Sequence, residues 1–151
     1  EIRNETLRIR TLLEERKGGV RKSKEIDIKF GEGGLQDIYF AIRYLQLRDN
    51  IADDENNRAS LNSLEKLRQN NSLSEEHCRN FSEGYKFLHK LDHNLRLTIG
   101  RSTRLPIGNP KALALISERM KLDSTNDLLE KLTFHRLEIH STFQSILQKQ
   151  L

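Results

Sequence analysis

Residues 26–47, IDIKFGEGGLQDIYFAIRYLQL, decide how the rest of the chain is read. Ile26, Ile28 and Phe30 alternate with Asp27 and Lys29, the period of a short extended segment with one buried side. Gly31, Gly33 and Gly34 then form a tight loop, because glycine alone enters positive-φ conformations at no steric cost. If Gly34 holds such a conformation, Gly34→Val should destabilise the loop or misplace the helix behind it, and unchanged stability would mean that the glycine is kept for close approach to something else. From Leu35 the period turns helical. Leu35, Ile38, Ile42 and Leu45 form one stripe, and Phe40, Ala41, Tyr44 and Leu47 fill much of the remaining circumference. A helix this apolar all round is a buried central helix. Asp37 falls in its first turn, where a carboxylate complements the positive end of the helix dipole.

Outward from this stretch, the chain has the size of one domain: 151 residues, 35% hydrophobic and 32% charged, which suits a small helical domain with charged outer faces. A single cysteine, Cys78, excludes an internal disulfide and fits a reducing compartment, so the expected location is the cytoplasm. No apolar run approaches the ~20 residues of a membrane span, and no membrane partner is expected. The sequence starts at Glu1 rather than methionine and is read as a piece of a longer polypeptide. Its net charge is +4, and the one locally basic run, Arg16 to Lys24, surrounds Gly18-Gly19. With no aromatic residues interleaved to stack on bases, this run reads as a solvated linker rather than a nucleic-acid contact.

The pattern predicts a first helix over residues 2–16, stopped by Gly18-Gly19, then the extended segment, the glycine loop and the central helix ending near Asp49-Asn50. Residues 50–59 are polar and read as a loop. Ser60 opens a short helix carrying Leu61, Leu64 and Leu67 and ending at Asn70-Asn71. Ser74 caps a long helix with Phe81, Tyr85, Leu88, Leu91, Leu95 and Ile99 on one face, and Gly100 ends it. Residues 101–109 read as a loop. Pro110 suits the first position of a helix bearing Leu113, Ile116 and Met120, and Ser124 or Asn126 caps a last long helix bearing Leu128, Leu132, Ile139, Phe143 and Ile146. The expected fold is all-α: an antiparallel bundle of about five to six helices with one short extended segment before the central helix.

Few residues point to chemistry. His89 and His93 stand four apart on one helix face, the spacing of two zinc ligands, but Lys90 occupies the position where a zinc-hydrolase helix carries glutamate. His135 and His140, five apart, diverge. Asp53-Asp54 reads as a solvated acidic patch, and no Asp-x-Asp follows a Gly-Ser turn. The glycine loop is open to two readings, a plain turn or an anion cradle of free amides at a helix start. It matches neither a phosphate-binding Walker loop nor a dinucleotide fingerprint, since Leu35 follows Gly34 and no βαβ unit is present. The chain carries neither a catalytic motif nor a metal site of its own.

At the central stretch the sequence resembles the helical domain that follows the nucleotidyltransferase domain in bacterial glutamine synthetase adenylyltransferases and PII uridylyltransferases. The resemblance rests on Lys29, Gly31, Gly33-Gly34-Leu35, Asp37-Ile38 and Phe40, followed by Leu45-Gln46-Leu47. It continues through Ser63-Leu64-Glu65-Lys66-Leu67, Tyr85-Lys86-Phe87-Leu88-His89-Lys90-Leu91 and Leu95-Arg96-Leu97. Arg101 and Arg104-Leu105-Pro106 resemble the arginine and Arg-Leu-Pro of the adenylyltransferase branch. One departure stands out: Tyr39 replaces the glutamate usual in adenylyltransferases. The resemblance implies one helical domain over 1–151, packed against a preceding nucleotidyltransferase domain that holds the catalytic carboxylates and uses ATP and Mg. It implies glutamine synthetase as protein substrate and a PII-type signalling protein as a further partner. Lys29, Gly31, Gly33, Gly34, Asp37, Arg101 and Arg104 are the candidate phosphate-contacting or domain-interface residues, with structural capping of helix ends as the competing role. A stand-alone regulatory interaction module is the alternative function.

Overall fold

The computed structural model describes residues 2–4, 25–100 and 103–148. Residues 2–4 are helical, and Arg3 donates to the Leu147 carbonyl at 3.2 Å; the rest of the expected first helix and the basic run 16–24 lie outside the described residues. The described elements are β1 (Glu25–Asp27), α1 (Leu35–Asp49), α2 (Ser60–Gln69), α3 (Glu75–Ile99), β2 (Arg104–Pro106), α4 (Pro110–Arg119) and α5 (Thr125–Gln148). The architecture is an all-α helical bundle with one two-stranded sheet at its edge.

Helix ends follow local chemistry. Ser74 caps α3 by accepting from the His77 amide at 3.1 Å, and Gly100 closes it in the left-handed region at φ 70°. Asn109 accepts from the Ala112 amide at 3.1 Å while Pro110 opens α4. Of the two caps the sequence allowed for α5, Ser124 is the one used, accepting from the Asp127 amide at 3.0 Å. Left-handed Asn50, at φ 55°, ends α1 and donates its amide to the Gln46 carbonyl. Each cap satisfies backbone groups that a helix end leaves open.

The long helices α3 and α5 form the spine of the core. Phe81, Leu88, Leu91 and Leu95 of α3 and Leu128, Leu132, Ile139 and Leu147 of α5 are almost wholly buried. They approach closely because Gly84 carries no side chain: a Cβ there would lie 2.6 Å from Ile139 Cδ1. Helix α1 packs on α5, α2 and α3 and buries Leu35, Ile38, Ala41, Ile42, Tyr44 and Leu45, as the sequence pattern requires of a central helix. Leu47 departs from it. It is 64% exposed, because it shares the solvent face of Arg43 and Asn50, four and three residues away.

The extended segment also departs from simple alternation. Asp27 is buried, whereas Ile26 and Phe30 are only partly covered. Strand β1 ends at Asp27 because Asp27 Oδ1 accepts the amides of Lys29 and Phe30, at 3.0 and 2.9 Å, and turns the chain. A second extended segment pairs with the first: within the expected loop 101–109, β2 runs antiparallel to β1, with Ile26 opposite Leu105 and Asp27 opposite Arg104. The Ile28 amide extends this pairing by donating to the Thr103 carbonyl at 2.7 Å.

The glycine that needs a positive φ is Gly33, at φ 72°, and not Gly34, whose φ is −94°. Gly34 is constrained by close approach instead, since a Cβ there would lie 2.7, 2.8 and 2.9 Å from the carbonyl oxygens of Ile28, Lys29 and Gly31. Gly33 carries both constraints, because its Cβ would lie 2.2 Å from the Arg136 carbonyl oxygen. Gly100, also at positive φ, has nothing within 4 Å of that position. Gly100→Ala should therefore cost only the left-handed penalty of roughly 1–2 kcal/mol. Gly33→Ala should cost roughly 2–5 kcal/mol, the same penalty plus overpacking. Urea unfolding followed by circular dichroism separates the two, and equal losses would show that the loop does not press on α5.

Candidate functional site

Two buried carboxylates organise the glycine loop. Asp27 Oδ1 holds the amides of Lys29 and Phe30, and Asp37 Oδ2 accepts from the Gly33 amide at 2.8 Å. The remaining bonds are backbone to backbone: Gly31 to Asp27, Gly34 to Gly31, Leu35 to Ile28 and Gln36 to Lys29, all between 2.9 and 3.1 Å. Asp37 lies in the first turn of α1 as expected and also reaches back to the loop, in the manner of a capping box. Of the two readings of the loop, the bonds favour the plain turn, because the Gly33 and Gly34 amides donate inside the loop.

Helix α5 grips the loop from outside. Arg136 Nε donates to the Glu32 carbonyl at 3.2 Å, and His140 Nε2 lies 2.7 Å from Glu32 Oε1. His140 Nδ1 stands 3.9 Å from Asp37 Oδ2. Nothing local in the sequence marks Arg136 or His140, since their partners lie more than a hundred residues earlier; the i, i+4 spacing is the one available hint. His135, one turn back, points elsewhere and stacks on Phe87 of α3 with ring centroids 4.8 Å apart.

The candidate residues Lys29, Gly31, Gly33, Gly34, Asp37 and Arg104 are gathered at this end of the bundle, and Arg101 lies outside the described residues. Arg104 comes across from β2, with Nη1 3.8 Å from Glu25 and Nε 4.0 Å from Asp27 Oδ2. Its guanidinium thus faces two carboxylates of the neighbouring strand at long ion-pair distance. The Lys29 ammonium lies 5.3 Å from the Phe30 ring centroid, half-exposed. Asp27, Asp37 and Arg104 are each occupied in holding the loop and sheet, and among the described residues no three His, Cys, Asp or Glu side chains are grouped to hold a metal ion. Among the described residues this donor set does not fit Mg or a nucleotide triphosphate.

A second polar cluster corrects the reading of Asp53 as solvated. Asp53 Oδ1 accepts from Gln46 and, at 3.0 Å, from Ser63 Oγ, while Oδ2 meets Arg43 at 3.1 Å. Burial alone would raise its carboxyl, but the bonds from Gln46, Ser63 and Arg43 outweigh it and hold Asp53 below the usual carboxylate range. The cluster ties α1 to α2 and, with Tyr39 and Arg58, borders a groove of about 220 Å³. Asp54 is the solvated member of the pair. Tyr39 is half-buried, and burial, then the nearby Tyr85 and Asp92, push its hydroxyl above the usual phenol range.

The fold and its loop thus define a helical bundle whose polar groups are spent on positioning. A family model described as GlnD PII-uridylyltransferase matches residues 6–147, and the chain belongs to that family. It is 31% identical over 127 residues to the bifunctional glutamine synthetase adenylyltransferase/adenylyl-removing enzyme of Nitrosomonas europaea, covering 83% of this chain and 14% of the relative. The Neisseria meningitidis enzyme of the same description is 25% identical over 130 residues, covering 85% and 14%. That of Mycobacterium avium is 36% identical over 80 residues, covering 52% and 8%. The chain therefore spans about a seventh or less of the length of these relatives.

Two pH dependences follow. Burial, chiefly, pulls the His135 imidazole below its usual range, with Glu83 opposing, Lys131 reinforcing and Glu138 opposing. In the window below the unfolded value of about 6.5 the unfolded chain binds more protons, so stability should fall as pH drops through it. His135→Phe should flatten that part of a stability-against-pH curve. Asp53 acts in the acid range: its contribution is present above the unfolded value of about 3.9 and is lost as pH falls through its lower folded value. Asp53→Asn should remove that acid-range slope, and an unchanged slope would mean Asp53 is solvated after all.

Proposed function

We propose that the chain is a helical accessory domain of a nucleotidyltransferase of the glutamine synthetase adenylyltransferase type. The observation that carries this reading is the family match across the whole bundle, joined to a site whose carboxylates and arginine are all engaged in structure. Chemistry would then come from a preceding nucleotidyltransferase domain with ATP and Mg. The helical domain would pack against it through the loop end carrying Lys29, Gly31, Gly33, Gly34, Asp37 and Arg104. AMP transfer to or from glutamine synthetase, in answer to nitrogen status, would be the parent reaction. The family's own description favours one second reading, the equivalent domain of a PII uridylyltransferase, with UTP as donor.

The test is direct. Incubated with glutamine synthetase, ATP and Mg, the 151-residue chain should incorporate no AMP, whereas the native polypeptide from cell extract should. Transfer by the 151 residues alone would place the chemistry inside them and overturn the accessory role. A native mass near 17.7 kDa would instead support a stand-alone interaction module. Preference for UTP and a PII protein would select the second reading.

A further inference from the structure

The outer face of α5 carries two large apolar side chains that the fold leaves uncovered. Phe134 is 54% exposed and Leu137 is 64% exposed, beside the partly buried Leu129. Two depressions of about 470 and 290 Å³ meet at Phe134, the first along α5 and the second between α3 and α5. Their rim is acidic although the whole chain carries a net charge of +4. Glu130 borders the first depression; Glu76, Glu83 and Glu138 border the second, against one basic side chain there, Arg79. Within the described residues, none of the four glutamates is in a salt bridge, whereas Lys131 beside them is held by Asp127 at 3.1 Å.

An apolar centre inside a carboxylate rim selects its occupant by charge. A second copy of this chain would set rim against rim, and like charges in contact oppose association. A helix with an apolar stripe and lysine or arginine on its flanks fits both features. We propose that the α3–α5 face centred on Phe134 and Leu137 binds a basic amphipathic helix of another polypeptide segment. This surface adjoins the glycine loop at Leu137, which also lines a depression with Glu32, Arg136 and His140, and the proposal does not depend on which nucleotide a parent enzyme uses.

The test uses the full chain and a fluorescein-labelled synthetic helix with leucine at i, i+3, i+4 and i+7 and lysine elsewhere. Fluorescence anisotropy should show binding that weakens with added salt, and a matched leucine–glutamate helix should bind at least tenfold more weakly. Phe134→Ser with Leu137→Ser should raise Kd at least tenfold. Glu130→Gln with Glu138→Gln should raise it severalfold and reduce its salt dependence. All four side chains are surface residues, and thermal melting checks that each variant is folded. Leu47→Ser with Leu97→Ser, exposed leucines elsewhere, should leave Kd unchanged. Equal binding by the Phe134/Leu137 variant, or no preference for lysine over glutamate, overturns the proposal. So does a dimer of the chain in sedimentation equilibrium that Phe134→Ser abolishes, which would assign the face to a second copy.

Discussion

The contact on which the rest of the structure depends is the seating of the glycine loop against the backbone of α5 at Arg136. It is a backbone-to-backbone contact, possible only because Gly33 has no side chain and accepts a left-handed conformation. Once the loop is seated, the Gly33 amide points at Asp37 and the Glu32 carbonyl at Arg136, so the entry angle of α1 is set from two sides. The central helix then falls between α3, α5 and α2 with its apolar side inward.

The loop shows how buried carboxylates can organise a fold. An aspartate in the interior is costly unless hydrogen bonds replace its water. Asp37 and one oxygen of Asp27 find those donors in amides of their own loop, while the buried Asp27 Oδ2 takes no hydrogen bond among the described residues and has Arg104 at 4.0 Å. Arg104 and His140 bring charge or polarity from β2 and α5 to the same two residues, so distant parts of the chain converge on one short segment. These side chains serve position: they fix where the loop ends and α1 begins.

Asp53 makes the same point on the other side of α1. Its bonds to Gln46, Ser63 and Arg43 lock α1 to α2 through a connection that is otherwise polar. What looks in sequence like solvated acid is a joint between helices. Gly84 is a parallel case, a small residue within a helix whose value is the approach of Ile139.

By itself the sequence determined the helices and their ends, because those depend on neighbours three or four positions away: the stripes of α1, α3 and α5, the Ser74 cap, the Gly100 stop and Pro110 at the start of α4. It also determined the family, which matches over residues 6–147. Only the tertiary structure decided what those residues do. That Gly33 sits against the Arg136 backbone and that β2 pairs with β1 follow from partners far away in the chain; that Asp37 and Gly31 take the loop amides is local but depends on how the loop folds back on itself. Periodicity records which side of an element is apolar, but which group arrives to meet it is settled by packing.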